Sequence, residues 1–368
     1  MEQWRLLNID WLNYSDTAIL RPALMRARSE GVIPDTVSIC TFSKPSAIIT
    51  FFNDPDKEIN LELCRKKGIE VSRLIIGGGP IFGDKGYMHT MLIIGRDNPK
   101  LPENPTKMFE KTLTGIALGI SDYFQVDCRY RPLNDLEIRC DDGVWRKIGP
   151  SGCMYQDKAI QMTSAMQVKE NDADLIASIM TPPKEKFLDK ETKTLQDRIT
   201  YLEKTAGRNI DWEEIKKVYK KQIEETFEVQ LIPGDLTDKE KSYFSEMREA
   251  YTSEEYFMER SERKFHPLPT GVVRKSVQFK VHGGPFVRII TFIKNNTIWN
   301  ILISGMVHAS PLTPTSPIHE IEKSLKGRPV DRKSIESSIE QIMSDPNFDI
   351  AKLSPKVLAD KIYECATM

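Results

Sequence analysis

Two short stretches carry residues whose types and spacing suit chemistry on a charged ligand. The first is RLIIGGGPIFGD, residues 73–84. Gly77, Gly78 and Gly79 have no Cβ, so their backbone N–H groups can approach a phosphate or carboxylate and adopt positive φ. The spacing is neither a GxGxxG fingerprint nor a GK[ST] phosphate loop. On these residues alone a tight turn or bulge outweighs a ligand turn, and Asp84 reads as a turn residue. The second stretch is NDLEIRCDDGVWRKIGPSG, residues 134–152. Lys147 ends an amphipathic strand there and precedes what reads as a small-residue loop, Gly149, Pro150, Ser151 and Gly152. A lysine beside such a loop can serve as a point charge on a phosphate or carboxylate. Seen in isolation, a solvated hairpin lysine is the better reading.

The elements that must position these stretches follow from periodicity. A helix over 16–30 precedes strands at 37–42 and 46–52, joined by a Lys-Pro turn. A short helix at 61–68, stopped by Gly68, leads to a strand at 71–76 that runs into the glycines. A strand at 88–94 and a helix over 105–124, with Leu113, Ile116 and Ile120 on one face, come next. Residues 135–149 read as a hairpin around Asp141-Asp-Gly143, and 161–168 as a further strand. The charged stretch 182–206 reads as a surface excursion around short helices. Asp211 opens a helix whose stripe Trp212, Ile215, Tyr219, Ile223 and Phe227 means packing. The character changes at 231–244. Beyond about residue 260 come strands at 275–281, 286–293 and 297–305, with a hairpin signal at Lys294-Asn-Asn296. Helices near 316–326, 331–343 and 354–366 complete a small second domain, the last with Ser354 as N-cap before Pro355.

The 368 residues suffice for one large or two medium domains. With 52 basic against 53 acidic side chains and a net charge of −1, the chain has no basic field for nucleic acid. It has no apolar run of about 18 residues, so no membrane span is expected, and its N-terminus does not read as a secretory signal. Six cysteines and five histidines are dispersed without metal-ligand spacing, which makes the cytoplasm the default compartment.

Taken together and in this order, the two stretches resemble the biotin/lipoate A/B protein ligase family, and its two-domain lipoate–protein ligases in particular. The family carries RR-x-S/T-GGG-x-V-F-H-D, then N-D-L, a short hairpin and a K-I/V-S/G-G segment. KPSAIITFFND (44–54) stands where the family has an apolar strand ending in its G-R-x-Q-N loop, and residues 285–331 look like the accessory C-terminal domain. The resemblance implies an α/β (α+β) fold: a class II aminoacyl-tRNA synthetase/biotin-ligase-like catalytic domain with a mixed sheet over 1–245, and a small α+β domain over 246–368. It implies activation of lipoate with ATP and Mg²⁺ to an acyl-adenylate, then acyl transfer to a lysine of a lipoyl-carrier domain. By position, Lys147 is the family's invariant lysine and the catalytic group. Arg73, Gly77, Gly78, Gly79, Asp84, Asn134, Asp135, Gly149 and Ser151 would bind substrate and adenylate, with Asp135 as a Mg²⁺ ligand. A fixed ammonium suits both half-reactions, because each develops negative charge on carbonyl and phosphate oxygens.

Departures from the family pattern are specific. Leu74 replaces the second arginine, Ile76 the Ser/Thr before the glycines, and Gly83 the histidine before Asp84. Thr50 stands at a usual glycine, Met162 replaces the glycine of H-G-T, and Pro150 interrupts the lysine segment. Two other readings therefore stand beside the ligase. One is an octanoyl or lipoyl transferase that uses a cysteine thioester and no ATP, for which Cys128 and Cys153 are the nearest thiols. The other is a non-catalytic binding or assembly protein. The GRGRxxR loop of biotin ligases is absent, and the trailing domain favours a ligase over octanoyl-type transferases.

Overall fold

The computed structural model describes residues 1–102, 104–132, 134–181 and 195–368, so the excursion expected over 182–206 lies outside the described residues up to 194. Its remainder forms the short helices Leu195–Arg198 and Leu202–Ala206.

An eight-stranded mixed sheet is the frame. Its strands run in the order Val229–Pro233, Glu2–Leu12, Thr36–Phe42, Tyr87–Gly95, Ala159–Gln167, Trp145–Gln156, Asp135–Arg139 and Cys128–Arg131. Glu2–Leu12 pairs parallel with both neighbours, and the remaining pairs are antiparallel. The three central strands are buried at every position. Both faces of the sheet are covered, so even the polar side chains of these strands, Thr36, His89, Gln161 and Ser164 among them, are buried. Helices Pro105–Phe124 and Trp212–Phe227 cover one face, where Leu113, Ile116, Ile120, Ile215, Tyr219 and Ile223 join one core. Helix Tyr14–Ser29 covers the other. Beside it a small sheet pairs Ser46–Thr50 with Glu70–Leu74 and Ile81–Gly83, and the glycines bridge the last two strands.

Two features depart from expectation. Glu2–Leu12 and Val229–Pro233 form a parallel pair, Glu2 opposite Val229, that no local signal announced. The small residues after Lys147 are not a loop: the strand Trp145–Gln156 runs through them, with Ser151 opposite Ser164. A Cβ on Gly149 would lie 1.6 Å from the Ala165 carbonyl oxygen. The missing side chain there serves close strand approach rather than loop freedom.

Helix Asp238–Thr252 opens on a capping box between Thr237 and Glu240. It packs on helix Tyr14–Ser29, where Tyr243 donates to Glu30 and Arg26 bonds Glu246 at 3.0 Å, so the helix spans residues 245 and 246 without a break. The C-terminal unit has an antiparallel sheet of Val273–Lys280, Phe286–Lys294 and Thr297–Met306. Asn295 and Asn296, at φ 50° and 56°, make its tight turn. Helices Pro317–Leu325, Arg332–Met343 and Pro355–Thr367 bury Ile318, Ile321, Ile335, Ile339, Leu358 and Ile362 against it. No described helix is long and apolar enough to cross a membrane.

Candidate active site

The lysine is aimed by a register break. Asp135–Arg139 and Trp145–Gln156 pair with a bulge between Leu136 and Glu137, which sets Lys147 opposite Glu137 and diagonal to Asp135. The Lys147 ammonium bonds one oxygen of Asp135, and Arg198 bonds the other at 3.0 Å. The Thr200 N–H donates to the Lys147 carbonyl at 3.0 Å, holding the Arg198 segment against the lysine strand. Burial pushes the Lys147 ammonium below its ordinary pKa, against the pull of Asp135. Burial would raise the Asp135 carboxyl, but Lys147 and Arg198 hold it below the usual carboxylate range.

The glycine turn is fixed from two sides. Gly78 has φ +116°. Its carbonyl accepts from Thr50 Oγ1 at 2.6 Å and Asn53 Nδ2 at 3.1 Å, and its N–H donates to the Val307 carbonyl at 3.0 Å. The hydroxyl of Thr50, where the family has glycine, thus pins the turn. A Cβ on Gly77 would lie 2.7 Å from the Val307 oxygen, so the backbone of the C-terminal unit occupies the space these glycines leave.

Both stretches face one cavity of about 370 Å³, whose wall includes Gly77, Gly78, Gly79, Asn134, Asp135, Lys147, Gly149 and Ser151. Asn134 acts as a clamp: its amide donates to the Ser151 carbonyl at 2.5 Å, and its own carbonyl accepts from the Ser151 N–H at 2.9 Å. The Ser151 hydroxyl is buried and has no hydrogen-bond partner among the described residues. Ile76, Phe82, Ile176, Met180 and Ile199 give the cavity an apolar wall. A cationic end joined to an apolar wall suits an amphipathic acid, with its carboxylate at Lys147.

Several expected site residues are placed elsewhere. Arg73 is buried away from the cavity. Its guanidinium donates to the backbone carbonyls of Thr50, Phe51 and Asn53 at 2.8–3.1 Å and to those of Tyr256 and Phe257 at 2.6–3.2 Å. With every guanidinium nitrogen bonded to backbone, it ties the two units together. Asp84 also lies off the cavity wall. Its carboxylate accepts from Gly86 N at 2.8 Å and Gln167 Nε2 at 3.1 Å, closing the turn before Tyr87. Asp135 is a poor fit for Mg²⁺, since both its oxygens already face cations. Among the described residues no group of three His, Cys, Asp or Glu side chains could hold a metal. Neither thiol near the lysine lines the cavity. Burial pushes Cys128 up to about 12 and Cys153 higher still, away from the reactive thiolate.

Other groups enter the wall without a sequence signal. The C-terminal unit contributes His308, Lys280 and Lys352. The same wall includes Arg21 and His89, which are hydrogen-bonded at 2.6 Å. None stands in a motif with the glycines or Lys147. Only the fold brings them to the cavity.

Comparison with known proteins bears on the family and the fold. Residues 13–224 match the lipoyl protein ligase A/B catalytic domain. The chain is 26% identical to octanoyltransferase LipM of Geobacillus kaustophilus over 277 residues, 70% of this chain and 99% of the relative. It superimposes at TM-score 0.60 and 22% identity on a bi-partite lipoate protein ligase of Thermoplasma acidophilum, whose structure was described with its E2 lipoyl domain, covering 70% of this chain and 97% of that one. LipL1 of P. falciparum, solved in complex with lipoate, matches over 99% of this chain and 100% of its own at TM-score 0.68 and 13% identity. The fold likeness therefore extends through the C-terminal unit.

Proposed function

The chain belongs to the lipoyl protein ligase A/B catalytic-domain family, and within it we propose a lipoate–protein ligase that activates lipoate, or a related carboxylate, with ATP and passes the acyl group to a carrier lysine. One observation carries this reading: Lys147 and the glycine turn share an apolar-walled cavity that no cysteine among the described residues lines. In the first step the carboxylate attacks the α-phosphorus of ATP and pyrophosphate leaves. The Lys147 ammonium, desolvated and fixed by Asp135, offsets the charge that gathers on the phosphoryl and carboxyl oxygens. Ser151 and the backbone at Gly149 orient the adenylate beside it, while the apolar wall takes the acyl chain. In the second step the carrier amine attacks the acyl carbon and AMP leaves. Magnesium would arrive on the nucleotide, and no residue of the chain is assigned to it.

The similarity to LipM supports a second reading, octanoyl transfer without ATP. ATP–pyrophosphate exchange with lipoate, octanoate and biotin separates the two. Exchange that requires one of these acids supports the ligase. No exchange, combined with carrier acylation from an acyl-thioester that Cys128→Ala or Cys153→Ala abolishes, replaces it with the transferase.

A further inference from the structure

An acceptor lysine with a pKa of about 10.4 is neutral in only on the order of one molecule in 10³ at pH 7. A site that acylates it near neutrality gains by supplying a base. Asp135 is the one carboxylate on the cavity wall among the described residues, and it is occupied by Lys147 and Arg198. His89 faces the guanidinium of Arg21 at 2.6 Å. His308 differs from both. Its ring lies over the glycine turn, so that a Cβ on Gly77 would come within 3.1 Å of Nδ1 and one on Gly78 within 3.2 Å of Cε1. Its backbone is fixed on both sides, by Gly78 N–H to the Val307 carbonyl and by Ala351 N–H to its own carbonyl at 2.9 Å.

We propose that His308 of the C-terminal unit is the general base of acyl transfer, taking a proton from the ammonium of the incoming carrier lysine. This rests on the adenylate-forming reading of the same cavity. The N–H bond of the ammonium breaks toward the imidazole, and the freed lone pair forms the N–C bond at the acyl carbon. The C–O bond to the AMP phosphate breaks with its electrons on the phosphate, and the second amine proton leaves to solvent as the amide forms. Burial and then the nearby Lys147 charge hold the imidazole pKa below its ordinary value, so the ring is neutral and able to accept at pH 7. The charged groups that share its cavity are Lys147 and Arg198 from the catalytic side, Lys280 and Lys352 from its own unit, Arg21 at the wall, and the paired Asp135. The Lys147 charge favours release of the proton from the imidazolium again.

The test supplies preformed lipoyl-adenylate and compares wild type with His308→Gln and His308→Asn over pH 6–10, with adenylate binding measured to confirm a folded site. Transfer to the lysine of an apo lipoyl domain should fall by about 10²-fold or more at pH 7. The gap should close as the pH approaches the lysine's own pKa. Capture of the acyl group by hydroxylamine, a nucleophile already neutral at pH 7, should stay within about twofold of wild type, as no base is needed. A constant ratio across pH, an equal loss with hydroxylamine, or no transfer by the wild type from the supplied adenylate overturns the assignment. Failure of ATP–pyrophosphate exchange with retained transfer from the adenylate would instead remove the ligase reading and leave His308 standing.

Discussion

Asp135 takes the Lys147 ammonium on one carboxylate oxygen and the Arg198 guanidinium on the other. The lysine is therefore a desolvated cation whose charge depends on one neighbour, while that neighbour is shared with a second cation. Burial already lowers the Lys147 pKa and Asp135 opposes that fall. Removing the carboxylate charge must lower it further.

Asp135→Asn should consequently move the alkaline limb of adenylate formation to lower pH, because Lys147 then loses its proton earlier. Lys147→Ala should cost on the order of 10²-fold below that limb, as loss of a fixed charge-stabilising donor does, and less above it. Pyrophosphate-exchange rates from pH 6 to 10 check both. An alkaline limb that stays in place in Asp135→Asn would separate the ion pair from catalysis.

The glycine turn and the lysine strand meet at Ile76 and Gly152, where an added Cβ would lie 2.2 Å from Ile76 Cδ1. That atom is the tip of a flexible side chain, so the clash can be relieved. Gly152→Ala should destabilise by about 1–3 kcal/mol, and Ile76→Val should recover much of the loss in a double-mutant cycle. Gly149→Ala meets the Ala165 backbone oxygen instead. No side-chain change at position 76 should rescue it. Denaturant midpoints of the three single variants and of Ile76→Val combined with each glycine change decide the matter, and additive losses for Gly152→Ala and Ile76→Val would contradict the contact.

What could be read from the sequence depended on how local each signal was. Gly78 and the Asn295–Asn296 turn announced themselves because the residue type is tied to its own backbone, whereas Lys147 stood out only through the family resemblance. The strand nature of Gly149–Gly152 did not, since the atom that forbids a side chain there belongs to Ala165. Arg73 matched a binding motif, but its acceptors are carbonyls at 50–53 and 256–257, whose meeting only tertiary structure decides. His308 was one dispersed histidine until the C-terminal unit laid it on the glycine turn. The parallel pairing of Glu2–Leu12 with Val229–Pro233 lacks the tight turn that betrays a hairpin.

Arg73 offers a direct check on structural against substrate-binding roles. Lysine at this position keeps the charge but cannot serve five carbonyls at once. Arg73→Lys should lose about 3 kcal/mol or more of stability, since bonds from a charged donor count for about 1.5–3 each. The KM for ATP and for the acid should stay within about twofold in the folded fraction. A stable variant with a raised KM would return Arg73 to the binding site.

Asp54 supplies a pH signature of the same region. The residue is fully buried, with one carboxylate oxygen accepting from Asp56 N at 3.0 Å and the other without a hydrogen-bond partner among the described residues. Burial pushes its pKa from 3.8 to about 6. The folded state then binds more protons than the unfolded chain between those values. This contribution to stability is therefore fully present below pH 3.8 and declines as the pH rises through 6. The difference of about 2 units corresponds to about 3 kcal/mol at most. Asp54→Asn keeps an oxygen to cap Asp56 and removes the titration. Its stability should fall less than that of wild type between pH 4.5 and pH 7.5, measured by denaturant unfolding at both. Equal slopes in the two proteins would mean that the carboxyl titrates as it does in the unfolded chain.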